Sequence, residues 1–250
     1  MKKGIPDLSE LLDRTATHED ALPNLVGLDD VTLRLRKEEL VEFCRRADVL
    51  NHQTWVGNPL EDQVESYGLN ASLILYLVGE DLSGYRTVVI GPDVAGIAFL
   101  AYIAQKGSSV LGIDVNIRPR NIAEKLGVPF VAGRWEDLTI HLKNAGMGKV
   151  DFINVNNMES SPWRYGRYKY QGQGVFEAHV TEEIDAVLNP PGLFIEVFYT
   201  GEYSLNMGGF RRMGYKCHYH NIDHAQLIRV LQKPVHPKVL PPVELSIVKT

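Results

Sequence analysis

Thr87-Val88-Val89-Ile90-Gly91-Pro92-Asp93-Val94-Ala95-Gly96 is a β-branched run that breaks into a turn with a glycine at each end. Ile97–Lys106 follows as a predicted helix that Gly107 stops, and Val110-Leu111-Gly112-Ile113-Asp114 is the next apolar run. Strand, turn, helix and strand within about thirty residues read as a right-handed βαβ unit.

Working outward, the alternation continues. The pattern predicts a helix over Asn121–Leu126 closed by Gly127, a strand over Pro129–Ala132 and a helix over Thr139–Asn144. A strand over Val150–Val155, a helix over Thr181–Leu188 and a strand over Leu193–Phe198 come next. This is an α/β chain whose expected architecture is a doubly wound, Rossmann-like sheet, mostly parallel, with helices on both faces. The tail breaks the rhythm: Tyr215–His220 and Glu244–Lys249 are expected to pair as an antiparallel C-terminal hairpin.

Upstream, residues 1–84 read as a helical N-terminal cap on a Rossmann-like domain spanning 85–250. Leu8, Leu11 and Leu12 share a helical face, and Leu40, Val41, Phe43, Cys44 and Ala47 form an amphipathic stripe. Val31, Leu33 and Leu35 alternate with polar residues, so a short strand is expected before that helix. Another helix is expected from Leu60 to Leu77, ended by Gly79.

The chain of 250 residues is 44% hydrophobic and 23% charged, the texture of a globular domain rather than a disordered or collagen-like one. With 26 basic against 31 acidic residues and a net charge of −5, it has no global cationic field to recruit nucleic acid. Cys44 and Cys217 are too few for a disulfide framework and fit a reducing compartment. No apolar run reaches the length of a membrane span, the best being Ala71–Val78, and Met1–Pro6 lacks an apolar signal region. The expectation is a cytoplasmic protein acting on a small-molecule partner, without membrane or nucleic acid. The N-terminal helices are the expected homodimer surface.

In an open parallel sheet, ligands bind beyond the strand C-termini where the strand order reverses. Gly91-Pro92-Asp93-Val94-Ala95-Gly96 has the spacing of the dinucleotide fingerprint G-x-G-x-x-G, with Asp93 in place of the middle glycine. Asp114 lies 23 positions after Gly91, placed to accept hydrogen bonds from ribose hydroxyls. A carboxylate at Asp93 repels a pyrophosphate and fills the space it needs. A phosphate-free cofactor such as S-adenosylmethionine removes that conflict, because its ammonium suits Asp93. Asp93 is also a natural N-cap for the following helix.

In this order and spacing the segments resemble the class I S-adenosylmethionine-dependent methyltransferases over about residues 85–250. Val88–Gly96 looks like the family's glycine-rich first motif, and Val110–Asp114 like its second strand with the ribose-binding acid. Phe130-Val131-Ala132-Gly133-Arg134-Trp135-Glu136-Asp137-Leu138 is similar to the segment flanking the adenine. Val150–Asn157 resembles the fourth strand, which opens onto the transferred methyl, and Glu183–Ile195 the helix, proline–glycine turn and fifth strand. The resemblance implies S-adenosylmethionine as cofactor, held by Gly91, Asp93, Gly96, Asp114, Val115, Arg134, Trp135 and Asn154. It also departs from the family: Val89 stands where an acid usually precedes the first glycine, and Arg134 where an acid usually contacts adenine. A nicotinamide- or flavin-dependent oxidoreductase and a non-catalytic, methyltransferase-like binding protein are the competing readings.

Methyl transfer needs an aligned nucleophile and, where the acceptor carries a proton, a base. Asn154, Asn156 and Asn157 offer amides to orient an acceptor, and Glu159 offers a base, so Asn156, Asn157 and Glu159 are the catalytic candidates. Ser160 and Ser161 read as turn residues. Trp163-Arg164-Tyr165-Gly166-Arg167-Tyr168-Lys169-Tyr170 interleaves aromatics with cations, a pattern that can hold a planar or anionic acceptor. Cys217-His218-Tyr219-His220, with Asp223 and His224, is the one metal-like cluster. On a strand Cys217 points away from His218 and His220, so no metal is expected, and a histidine base is the better use of the cluster.

Overall fold

The computed structural model describes residues 2, 4–8, 30–49, 60–156, 173–199, 207–221 and 226–235. Two helices open the described chain, α1 (Asp30–Arg46) and α2 (Leu60–Val78). Strand β1 (Arg86–Ile90), helix α3 (Val94–Gln105) and strand β2 (Ser109–Asp114) then form the expected βαβ unit. Helix α4 (Arg120–Leu126), β3 (Phe130–Ala132), a single 3-10 turn (Trp135–Asp137), α5 (Leu138–Asn144) and β4 (Val150–Asn156) continue the alternation. Helix α6 (Gln173–Val187), β5 (Leu188–Tyr199), α7 (Met207–Arg212), β6 (Lys216–Asn221) and β7 (Gln226–Gln232) complete it.

The strands form one seven-stranded sheet in the order β3-β2-β1-β4-β5-β7-β6. Strands β1 to β5 run parallel, and β7 pairs antiparallel with both β5 and β6. This is the expected Rossmann-like, doubly wound sheet with an antiparallel C-terminal hairpin. The chain leaves β1 toward β2 on one side and returns to β4 on the other. The order therefore reverses between β1 and β4, which puts the ligand crevice above their C-terminal ends.

Alternation along the strands fills two apolar layers. Val89, Phe152, Ile195 and Val197 face one side, where they join Leu40 and Phe43 of α1, Tyr67 and Ile74 of α2, and Phe99 and Ile103 of α3. Val88, Ile90, Ile153, Val155 and Phe194 face the other, against Leu138 and Leu142 of α5, Phe176 and Val180 of α6, and Phe210 of α7. Each fully buried Leu or Phe contributes about 1.5–3 kcal/mol. The N-terminal helices share the first of these cores: Tyr67 stacks on Phe99 with ring centroids 5.4 Å apart, and Phe43 meets Tyr102 edge-on at 6.0 Å.

Two expectations need correction. Val31, Leu33 and Leu35 lie within helix α1, not in a strand. Three alternating positions are too short a pattern to hold a strand against the good helix formers that flank them, and extending a helix is easier than nucleating one. The hairpin partner of β6 is Gln226–Gln232, from Asn221↔Leu227 to Lys216↔Gln232, rather than Glu244–Lys249, which lies outside the described residues. Four intervening residues close that pair at a smaller entropic cost than a loop reaching Glu244. Helix α6 also begins earlier than expected, at Gln173. Of the N-terminal leucines, Leu11 and Leu12 lie outside the described residues.

The N-terminal tail closes the far edge of the sheet. Lys2 Nζ reaches Asp151 Oδ1 at 2.7 Å and lies 4.7 Å from the Tyr85 ring centre. Leu8 N–H donates to Gln232 Oε1 at 2.9 Å, and Gln232 Nε2 donates to the Pro6 carbonyl at 2.7 Å. Asp151 also accepts from Arg86 N–H and Asn189 Nδ2. These contacts lie at the start of β4 and the end of β7, opposite the crevice.

Candidate functional site

At the end of β1 the backbone turns at Gly91, whose φ of 66° is left-handed and whose N–H donates to the Ile113 carbonyl at 2.8 Å. That bond ties the turn to β2. Asp93 then caps α3: its Oδ1 accepts from Gly96 N–H at 3.0 Å, while its carbonyl accepts from Ile97 N–H. The expected N-cap is thus formed, and it aims the carboxylate at the helix N-terminus. Gly96 is required by packing. A Cβ there would lie 2.6 Å from the Tyr67 hydroxyl and 2.9 Å from Pro92 Cβ.

Asp114 ends β2 across the turn. Its Oδ1 accepts from Asn116 N–H at 2.8 Å, and its carbonyl accepts from Gly133 N–H at 2.9 Å, binding the β2 and β3 loops together. Burial pushes Asp93 up to about 6, against the opposing pull of the backbone N–H groups it accepts from. Burial likewise pushes Asp114 up to about 6, with the Asp93 charge adding to the effect. Neither carboxylate has an ion-pair partner among the described residues. Two acids sharing one edge without a cation favour a positively charged ligand and disfavour a phosphate.

The remaining expected residues are dispersed around this edge. Val115, next to Asp114, is 64% exposed. Arg134 Nη1 pairs with Glu136 Oε1 at 3.3 Å across the 3-10 turn. Trp135 is turned into the core, 7% exposed and 5.8 Å from the Phe176 ring. Asn154 lies on β4 level with Val89, fully buried, and neither Oδ1 nor Nδ2 has a hydrogen-bond partner among the described residues. Asn156 is the last residue of β4, and its side chain lies outside the described residues, as do Asn157, Glu159, Ser160, Ser161 and Trp163–Tyr170. Cys217 packs against the α6–α7 layer. The side chains of His218 and His220 and all of Asp223 and His224 lie outside the described residues.

Two residues of this edge escaped the sequence reading. Tyr67 comes from α2, about two dozen residues before the turn, and its hydroxyl stands against Gly96. Burial raises its pKa well above the ordinary phenol value, with the charges of Asp93 and Asp114 adding to the effect, so it stays a neutral O–H donor. His141 of α5 lies over Gly133, where a Cβ would meet its Nε2 at 2.2 Å, and that nitrogen is buried without a partner among the described residues. The only signals in the sequence were the polar atoms themselves, a tyrosine in an apolar stripe and a histidine late in a short helix.

No protein-family model and no curated protein sequence matches the chain. Among solved structures it is similar to MtNAS in complex with MTA and tNA, at 14% identity and a TM-score of 0.47, covering 82% of this chain and 72% of that one. A TehB-like SAM-dependent methyltransferase from Corynebacterium glutamicum matches at 14% identity and a TM-score of 0.45, over 80% of this chain and 99% of that one. The T. thermophilus 16S rRNA N2 G1207 methyltransferase in complex with AdoMet and guanosine matches at 13% identity and a TM-score of 0.44, over 64% of this chain and 38% of that one. These are likenesses of chain course at low identity; the chemistry rests on the residues of the site itself.

Proposed function

We propose that the protein is an S-adenosylmethionine-dependent methyltransferase acting on a small-molecule acceptor. The observation that carries this reading is the pair of half-buried carboxylates, Asp93 and Asp114, that flank the βαβ turn with no ion-pair partner among the described residues. Like charges about 4 Å apart repel by roughly 4 kcal/mol at an effective dielectric of 20, which argues against a pyrophosphate beside Asp93. A sulfonium cofactor with an ammonium and two ribose hydroxyls suits both acids. Asp114 accepts from the ribose, Asp93 pairs with the ammonium, and the exposed Val115 covers an apolar ring face. Gly91 leaves the turn open, with nothing within 4 Å of a Cβ position. Arg134 and the backbone at Trp135 border the adenine end.

The cofactor supplies an electrophilic methyl group, and the chain has only to place the acceptor and manage its proton. Asn156 and Asn157 orient the acceptor, and Glu159 takes its proton. Strand β4 ends at Asn156, on the side of the sheet where the crevice is expected, and Asn157 and Glu159 follow it in sequence. The net charge of −5 favours a small acceptor over a polyanion.

Calorimetric titration of S-adenosylmethionine, S-adenosylhomocysteine, NAD and NADP into the wild type and Asp93→Gly tests the reading. S-adenosylmethionine should bind the wild type and bind Asp93→Gly no more tightly. Tight binding of a dinucleotide to the wild type, with no binding of S-adenosylmethionine to either protein, would sink it.

A further inference from the structure

The turn Arg134-Trp135-Glu136-Asp137, which borders the adenine end, is tied to β2 through Gly133 N–H, which donates to the Asp114 carbonyl at 2.9 Å. A second set of ties runs to helix α6. Phe176, His179 and Glu183 stand at i, i+3 and i+7 and so line up on one face of that helix. Each meets a different part of the turn. The Phe176 ring lies 5.8 Å from the Trp135 ring, His179 Nε2 lies 2.8 Å from the Glu136 carbonyl oxygen, and Glu183 Oε2 accepts from Thr139 N–H at 2.7 Å.

The two polar ties answer backbone groups of opposite kind. Thr139 belongs to the first turn of α5, where N–H groups have no carbonyl of their own helix to bond, and Asp137 at that helix start makes no side-chain cap bond. Glu183 supplies an acceptor from another helix. A carbonyl oxygen only accepts, so His179 Nε2 is the donor, and in the neutral ring the proton sits on that nitrogen. Glu136 is buried, 4% exposed, so water is a poor replacement for His179 at its carbonyl. One helix face thus offers an apolar ring, a donor and an acceptor to successive parts of one short turn.

We propose that His179 is a positioning residue for the cofactor: it donates to the Glu136 carbonyl and, with Glu183 accepting from Thr139 N–H, fixes where the Arg134–Trp135 backbone stands against the adenine ring. This rests on the cofactor reading above. It adds α6 to a site otherwise built from β1, α3, β2 and the turn after β3. Both side chains act through the backbone they hold.

The experiment titrates S-adenosylmethionine and adenosine calorimetrically into the wild type, His179→Leu, His179→Gln and Glu183→Ala, well below the melting temperature recorded for each protein. Glutamine is the informative replacement, because its Nε2 can take the place of the imidazole Nε2 and still donate. His179→Leu should bind S-adenosylmethionine about tenfold more weakly, the factor for one hydrogen bond. Adenosine should lose the same factor, because the loss lies in the part that the two ligands share. His179→Gln should bind both within about twofold of the wild type. Glu183→Ala should fall between these and carries the test if His179→Leu fails to fold. A contact that serves stability alone would lower the melting temperatures and leave the affinities of the folded variants unchanged, which would overturn the inference and leave the cofactor reading standing. His179→Gln binding as weakly as His179→Leu would overturn it too. A wild type that binds neither ligand would remove the cofactor reading and this inference with it.

Discussion

Replacing Asp93 with asparagine should make the unligated protein more stable and the ligand weaker, and the two effects should part company with pH. Burial lifts the Asp93 carboxyl from an ordinary 3.8 to about 6. The folded protein thus holds that proton more tightly than the unfolded chain does. Between about pH 4 and pH 6 the unfolded state binds fewer protons, so stability falls as pH rises through this window and stays lowered above it. The gap from 3.8 to about 6 corresponds to about 3 kcal/mol of destabilisation at neutral pH.

Asparagine is a good N-cap and keeps an oxygen for Gly96 N–H, so the helix start survives the change. It loses the charge–dipole attraction at the helix N-terminus, about 0.3–1 kcal/mol. The net gain for Asp93→Asn is then about 2–3 kcal/mol above pH 6, falling toward nothing near pH 4. In a chain of this size each kcal/mol moves the melting temperature by roughly 2–4 °C. Thermal melts of both proteins at pH 4, 5, 6 and 8, with and without S-adenosylmethionine, give the answer. The variant should lead without ligand at pH 8 and lose that lead when ligand saturates the wild type. A variant that melts below the wild type at pH 8, or a difference that does not change between pH 4 and pH 8, would refute the account of Asp93 as a buried acid awaiting a cation.

Three further outcomes are expected. Asp114→Ala should weaken binding of S-adenosylmethionine by about 1.5–3 kcal/mol, and unchanged affinity in calorimetry would remove Asp114 from the site. Gly96→Ala should destabilise by about 1–3 kcal/mol because its Cβ meets the Tyr67 hydroxyl at 2.6 Å, and Tyr67→Phe should recover part of that loss in chemical denaturation; no recovery would mean that Pro92 is the obstruction. Glu196 on β5 and Arg229 on β7 form a cross-strand ion pair with side chains 4% and 3% exposed, so Glu196→Leu alone should cost about 3–5 kcal/mol. The double change Glu196→Leu with Arg229→Met should cost much less, and equal losses would show that the pair is not the origin of the penalty.

That ion pair also explains where the sequence was hard to read. The βαβ unit announced itself through β-branched runs, a glycine turn and a terminal acid, and the structure places β1, α3 and β2 almost where those marks fall. Strand β7 carries Arg229 in its middle, which breaks the apolar run a central strand normally shows. The opposing Glu196, 33 positions earlier, pairs with that buried arginine, and no local window contains both. The same logic hid the inner polar corner. Asp93 was legible because a cap acts on the residues immediately after it. Asn154 was named from its place on the fourth strand, whereas Tyr67 acquires meaning only when α2 is folded against the turn, because within its own segment it sits in an apolar pattern that reads as core.

The tail that crosses the far edge of the sheet has a consequence for how the molecule is made. Lys2 waits for a partner 149 positions later, and Leu8 for one 224 positions later. During synthesis from the N-terminus, these first residues pass the whole period of sheet assembly with their bonding groups in water. Closing so long a loop adds only about 0.6 kcal/mol per doubling of its length, so delay rather than energy is the obstacle. Contacts of such separation form late in folding. The amide of Leu8 is therefore a clock for completion: its protection from hydrogen exchange begins only when β7 has taken its place and Gln232 is there to receive it.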